Sequence, residues 1–337
     1  GLDLTKLISD TIEKRKNLVS DTQILNDVNT EKYLYPVKYN TEHSMTRFFE
    51  VVFVDSETCS VGGGGDTLNQ HKINSPTSDG TFYALLDSDA DKEIVKENSR
   101  EIKNAVFALP KKSQNIHAML RKYDAVCFLQ NQNADDKILF SEFEIIKDDL
   151  FDGIKLFIHS FIQPERNECL YFALGNEIKL YKKSDLTQKL SEQMEEVFYK
   201  TPAVNNEMIN KNSLTGQAYN SRTKLIDAIL KYNESDLGLK GSGQEVSFMR
   251  SCLTVPGILN VQSDTKVFNL EPKTDLKNND KNFKAMFGEI EKFVEKSNKK
   301  EQPFSDLIEN LTGENKGFGL RRGVIPVYLA VVQGKPE

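Results

Sequence analysis

From Phe48 to Asn131 the chain alternates short apolar runs with longer amphipathic stretches, and this alternation most narrows the folds open to it. FFEVVFVDS (48–56), TFYALLD (81–87), NAVFALP (104–110) and AVCFLQN (125–131) have the length and composition of strands. DADKEIVKENSREIKN, with Asp89 or Asp91 as its N-cap, and SQNIHAMLRKYDA read as helices between them. A further helix is expected from Asp135 to about His159. Such a rhythm predicts an α/β domain, a largely parallel sheet with flanking helices. Beyond residue 160 the pattern changes. HSFIQ, CLYFALG and NEIKLYKK read as short strands with turns at Pro164-Glu165 and Gly175-Asn176. SDLTQKLSEQMEEVFYK then places Leu186, Leu190, Met194 and Phe198 at a helical spacing of four. More helices fit Asn205–Ile209, Gln217–Tyr232, Gln244–Leu253, Asn279–Ser297, Pro303–Leu311 and Arg322–Val332. The expected organisation is an α/β domain over 1–165, then a mostly helical domain over 166–337 that opens with short strands. A winged-helix-like part is expected near the C-terminus.

A length of 337 residues accommodates two cores, and 38% hydrophobic with 28% charged residues fits a globular protein in water. No apolar run approaches the roughly 20 residues that cross a bilayer. The opening GLDLTKLISDTIEKRKNL is amphipathic and lacks a signal peptide's apolar centre. A cytoplasmic location without membrane contact is therefore expected. The start at Gly, not Met, suggests a fragment or processed chain. Cys59, Cys127, Cys169 and Cys252 are 68, 42 and 83 residues apart, without a CxxC or Cys/His cluster, so neither zinc nor a disulfide framework is expected. Cys127 and Cys169, inside apolar runs, read as small buried hydrophobes. The net charge of −6 is uneven. Residues 1–180 carry 21 Lys and Arg against 29 Asp and Glu, or −8; residues 181–337 carry 23 against 21, or +2. Any polyanion would therefore meet the second half.

Motifs for chemistry are sparse. Gly62–Gly65 lacks the lysine and helix of a P-loop and reads as a surface loop. Gly238–Gly243, in LGLKGSGQE, follows a helix and not a strand, so it reads as a helix-to-helix loop. Asp55, Asp87 and Asp89 fall at strand ends, where carboxylates could bind Mg²⁺ for phosphoryl chemistry or simply cap helices. His43, His71, His117 and His159 share no spacing and accompany no nucleophile elbow. The basic residues offer more. Arg222 and Lys224 follow a helix start at Thr215–Gln217, and Lys316, Arg321 and Arg322 lie in or beside GFGLRRGVIP, with Phe318 and Tyr328 nearby. These five are the candidate phosphate contacts to nucleic acid.

Several separated patches belong together: LYPVKYNTEHSMTRFFEVVFV, SDGTFYALLD, NAVFALPKK, LSEQMEEVFYKTPAVNNEMIN, SRTKLIDAIL, GSGQEVSFMRSCL and GFGLRRGVIPVYLA. In this order, from about Tyr35 to Ala330, they resemble the region downstream of the nucleotide-binding part in large bacterial phage-defence P-loop ATPases, those of BREX-type systems. The resemblance implies that the ATP site lies outside this chain and supplies no catalytic residues to it; no metal residue and no cofactor are expected in this chain. It implies a module that binds DNA, a defence-system protein or a second copy and couples that event to the ATPase. Tyr39, Asn40, Thr46 and Arg47 would make structural or inter-domain contacts, and Thr201, Pro202, Asn206, Glu207 and Asn210 a helix-junction network. The alternatives are a metal-dependent phosphoryl hydrolase using Asp55, Asp87 and Asp89, and a purely structural oligomerisation domain.

Overall fold

Phe49–Val54, Gly80–Leu85 and Ala105–Pro110 are almost wholly apolar, and strands of that kind need cover on both faces. The computed structural model describes residues 3–60, 77–273 and 278–334. Gly62–Gly65 and His71 lie outside the described residues. The chain forms two compact units, one of residues 1–36 and 47–190, the other of residues 37–46 and 191–337. The elements of the N-terminal part are α1 (Leu4–Arg15), α2 (Asp21–Val28), β1 (Tyr33–Leu34), α3 (Val37–His43), β2 (Phe49–Val54), α4 (Ser56–Ser60), β3 (Gly80–Leu85), α5 (Lys92–Glu101), β4 (Ala105–Pro110), α6 (His117–Gln132), α7 (Lys137–Ile162), β5 (Cys169–Ala173) and β6 (Asn176–Ile178). Of these, α3 belongs to the second unit.

The six strands form one sheet in sequential order. β2 pairs with β3 and β3 with β4 in parallel, while β1–β2, β4–β5 and β5–β6 are antiparallel. The sheet is therefore mixed and not largely parallel. The reason lies in the connections. Between β3 and β4 one helix returns the chain to the edge where β3 began. Between β4 and β5 the chain runs out along α6 and back along α7, so β5 starts at the edge that β4 left and runs the other way. The β5–β6 turn has positive φ at Leu174 and Gly175, the geometry of a tight hairpin, and permits only antiparallel pairing. Both strands complete the first unit's sheet; they do not open the helical domain as expected.

Side chains alternate across the sheet with period two. Val52, Val54, Tyr83, Leu85 and Phe107 share one face with Val95 of α5. Phe53, on the opposite face, meets Phe157 and Phe161 of α7, the latter edge-to-face at 5.4 Å. AVCFLQN, expected as a fourth strand, lies within α6: Ala125, Val126 and Leu129 bury against Ile8 and Phe143 at helical spacing. HSFIQ is likewise helical, because α7 continues to Ile162.

The second unit is mostly helical. It takes the last part of α8 (Lys183–Val197), then α9 (Gly216–Lys231), α10 (Gln244–Met249), a π-helical turn (Arg250–Thr254), α11 (Asn279–Lys299), α12 (Phe304–Thr312) and α13 (Ile325–Gln333). Tyr328 sits edge-to-face on Phe283 and Phe287 and donates from its hydroxyl to the Cys252 carbonyl at 3.1 Å, which centres the core. Asn205–Ile209 is not a helix. Asn206 Oδ1 accepts from the Met208 N–H at 3.0 Å, a local turn that competes with helix formation. Among the described residues of both units, no helix is long and apolar enough to cross a membrane.

Candidate functional site

Residues 37–46 come from the N-terminal part of the chain but are built into the helical unit. Asn210 explains how. Its Nδ2 reaches the carbonyls of His43, Ser44 and Val204 at 3.2–3.3 Å. Ser44 Oγ donates to Asn205 Oδ1 at 2.5 Å, and His43 Nε2 meets Glu195 at 2.7 Å. Tyr39 is buried, stacks on His43 at 3.9 Å, and donates its N–H to Ser191 Oγ. Asn40 accepts from the Met45 N–H. Arg321, itself buried, closes the far end with Nη2 on the Thr46 carbonyl at 2.6 Å.

The adjoining junction is anchored by Thr201, whose hydroxyl bonds the Phe198 and Phe318 carbonyls and whose own carbonyl accepts from Asn282. Pro202 is buried beside it, and Asn206 Nδ2 donates to Ser247 and Ser251. Thus Tyr39, Asn40, Thr201, Pro202, Asn206 and Asn210 gather in the second unit, while Glu207 is exposed to solvent there. Arg47 is elsewhere. It lies fully buried in the first unit, paired with Asp79 at 2.8 Å.

The basic residues split in three ways. Lys316 pairs with Glu289 at 3.0 Å, and Arg321 points inward, so its role is internal. Arg222 lies half-buried over the Tyr219 ring at 5.2 Å, with Nη1 on the Gly323 carbonyl at 3.1 Å. No carboxylate pairs with it among the described residues, its Nε has no partner, and burial lowers its pKa. Arg322 adjoins Gly323 in sequence, is exposed, and is held through its backbone N–H by Asn212 Oδ1 at 3.1 Å. Lys224 is exposed on α9. Arg222 and Arg322 thereby flank one corner of the helical unit.

Two cavities open beside the junction. The larger, of about 530 Å³, is lined by His43, Ser44, Asn205, Lys273 and Asn279 among others. The smaller, of about 250 Å³, adds Ser242, Ser247 and Arg250, and the two share Asn205, Ser251 and Val255. The π turn sets this wall: the Val255 N–H bonds the Arg250 carbonyl five residues back, and Arg250, Ser251 and Val255 all line the smaller cavity. Sequence reasoning did not reach Arg250, Lys273 or Asn279. The one available signal, GSGQE before an apolar stretch, marks a loop and not a groove.

In the first unit, Asp55 and Asp87 follow β2 and β3 as expected, and Ser56 Oγ donates to Asp87 at 3.4 Å. Sequential strand order gives no reversal between the parallel strands, and hence no crevice of the kind that holds ligands in open α/β sheets. Asp89 is exposed, and Asp91 caps α5 by accepting from the Glu93 N–H. No group of three His, Cys, Asp or Glu side chains suited to a metal occurs among the described residues. Partial burial, then the charges of Asp87, Asp21 and Glu57, pushes the Asp55 carboxyl above its ordinary range. The folded state thus binds the Asp55 proton more tightly, and the ionised form costs stability. Asp55→Asn should therefore stabilise the protein at neutral pH by about 0.5 kcal/mol, a small gain because solvent screens the site. Urea midpoints of the two proteins should converge as pH falls through the unfolded carboxylate range. A variant that is less stable at pH 7 would remove the charge-repulsion account.

The remaining titratable candidates are paired or buried. His117 meets Asp21 at 2.7 Å and His159 meets Glu31. Burial raises the Cys169 and Cys252 thiols to about 12, and raises Cys127, which disfavours the nucleophilic thiolate in all three. No family model, curated protein or solved structure matches this chain significantly.

Proposed function

We propose that this chain is a non-catalytic module of a large bacterial phage-defence ATPase of BREX type, binding a nucleic acid or protein partner and relaying that event to the motor. The carrying observation is the segment 37–46. It is fastened into the helical unit by Asn210, Ser44, His43 and Arg321, while its flanks lead directly into β1 and β2 of the sheet. A partner that disturbs the fastening pulls on the sheet through the backbone itself. ATP would bind in another part of the ATPase, and the expected setting is cytoplasmic. A winged-helix-like C-terminal part draws little support, since the one β pairing described in the second unit is the bridge Leu259–Phe268.

The nucleic-acid arm rests on Arg222, Lys224 and Arg322. Binding of the chain to labelled single- and double-stranded DNA, titrated with salt, tests it. Arg222→Ala with Arg322→Ala should weaken binding about ten-fold across sequences and reduce the salt slope by roughly 1–2. Unchanged affinity and slope would take these residues out of the reading and leave a protein partner or self-association. The phosphoryl-hydrolase alternative has one observation in its favour, the electrostatic coupling of Asp55 with Asp87.

A further inference from the structure

The two cavities beside the junction share Asn205, Ser251 and Val255 and so form one groove, whose lining carries two side-chain amides, Asn205 and Asn279, and two cations, Arg250 and Lys273. Asn279 is only 4% exposed. Its Oδ1 accepts from the Ala203 N–H at 2.8 Å, which orients the amide and leaves Nδ2 without a partner among the described residues. Asn205, which is exposed, also has its Oδ1 occupied, by the Ser44 hydroxyl. Asn279 also begins α11, a 21-residue helix whose N-cap, Asn278, makes no side-chain cap bond. That helix end carries free N–H groups and a positive dipole beside the groove, which Asp280 in its first turn partly offsets. Lys273 lines the larger cavity and Arg250 the smaller, both exposed and both without a carboxylate partner among the described residues. The one carboxylate in the lining among the described residues, Glu42, has Lys38 at 4.0 Å.

We infer that this groove binds an extended acidic peptide segment of a partner protein. Backbone carbonyls of such a segment would accept from Asn205 and Asn279, and its carboxylates would sit at Arg250, Lys273 and the start of α11. The walls favour peptide over nucleic acid. Val204, Val246, Pro256 and Val255, the last 75% exposed, offer aliphatic contact. Among the described residues no Phe or Tyr lines the groove on which bases could stack, as they do in many single-strand binders. Side-chain amides lining the groove exchange water for fixed acceptors when it is filled, which gives specificity more than affinity.

The inference rests on the module reading and deepens its protein-partner arm. The test is fluorescence anisotropy of the whole chain with fluorescein-labelled octaglutamate, an uncharged Gly-Ser peptide of equal length, and oligothymidylate. Octaglutamate should bind most tightly. Arg250→Glu and Lys273→Glu should each weaken it about ten-fold or more, and Arg250→Lys should retain most of the affinity. Both altered side chains are exposed and unpartnered, so the variants should keep the parent's unfolding midpoint; Lys137→Glu, on α7, controls for net charge. Equal binding of the Gly-Ser peptide, or octaglutamate affinity unaltered in Arg250→Glu and Lys273→Glu, would overturn the inference. Loss of oligothymidylate binding in those variants, with octaglutamate indifferent, would overturn it in favour of nucleic acid. If the groove variants change nothing while Arg222→Ala with Arg322→Ala still weakens DNA, the groove fails and the module reading stands. If no probe binds, both fail.

Discussion

Asp79→Ala should destabilise the first unit by about 3–5 kcal/mol, the usual cost of breaking a buried ion pair by removing one partner. Arg47 is fully buried, with Nη1 2.8 Å from Asp79 Oδ1, while Asp79 Oδ2 also accepts from the Phe48 N–H at 3.2 Å. The Asp79 carbonyl in turn accepts from Asn104 at 3.0 Å. The pair therefore joins the entry to β2, the entry to β3 and the residue before β4. Alanine leaves a guanidinium in the interior with its main counter-charge gone. Replacing both partners, Arg47→Met with Asp79→Leu, should recover a substantial part of the loss, because the desolvation cost of the charges disappears with them. Amide hydrogen exchange in β2 and β3 reports on the unit that matters. A loss below about 1 kcal/mol for Asp79→Ala would mean that water or another group reaches Arg47.

Gly323→Ala should cost roughly 3 kcal/mol, and it should also lower DNA affinity if the basic corner is used. A Cβ at this position would lie 2.1 Å from the Ile209 carbonyl oxygen and 2.7 Å from that of Lys211. Both obstacles are backbone, so no side chain can swing aside. The Gly323 N–H bonds the Lys211 carbonyl at 2.8 Å, and its own carbonyl holds Arg222. Displacing this strand of backbone would part Arg222 from Arg322 and loosen the 209–212 loop next to Asn210. Urea unfolding and the DNA titration on one preparation check both effects. Stability within about 0.5 kcal/mol of the parent would show that the loop yields freely, contrary to its packing.

The parallel strands were legible because a run such as FEVVFV can be satisfied only by cover on both faces. The helix Gly216–Lys231 was legible from its cap, as Thr215 Oγ1 accepts from the Ala218 N–H. AVCFL misled because a short apolar run has no period of its own. What decides it is α1, whose Arg15 lies 4.4 Å over the Phe128 ring and half covers a side chain that a buried strand would have enclosed. The mixed sheet was out of reach, because strand direction depends on how many helices intervene and one of them had been read as a strand. At the candidate site, Thr201, Asn206 and Asn210 were singled out through the family resemblance, and the Thr-Pro turn added only that nearby polar side chains can satisfy exposed backbone. Arg250 and Lys273 were not. Nothing in RSCLT announces a π turn, and what matters about both cations is that no carboxylate among the described residues pairs with them, which neighbours in sequence do not reveal.

The fastening of residues 37–46 also sets a timetable for synthesis. His43 waits for Glu195, 152 positions later, and Thr46 waits for Arg321, 275 positions later. At typical elongation rates of about 5–20 residues per second, the second interval lasts roughly 15–55 s. Throughout it, Tyr39 and its neighbours are made but have no place to go, while the strands on either side of them can already begin to pair. A ribosome-bound chain thus carries the Tyr39 segment without its packing partners until Arg321 has been made, and chaperones would find it there.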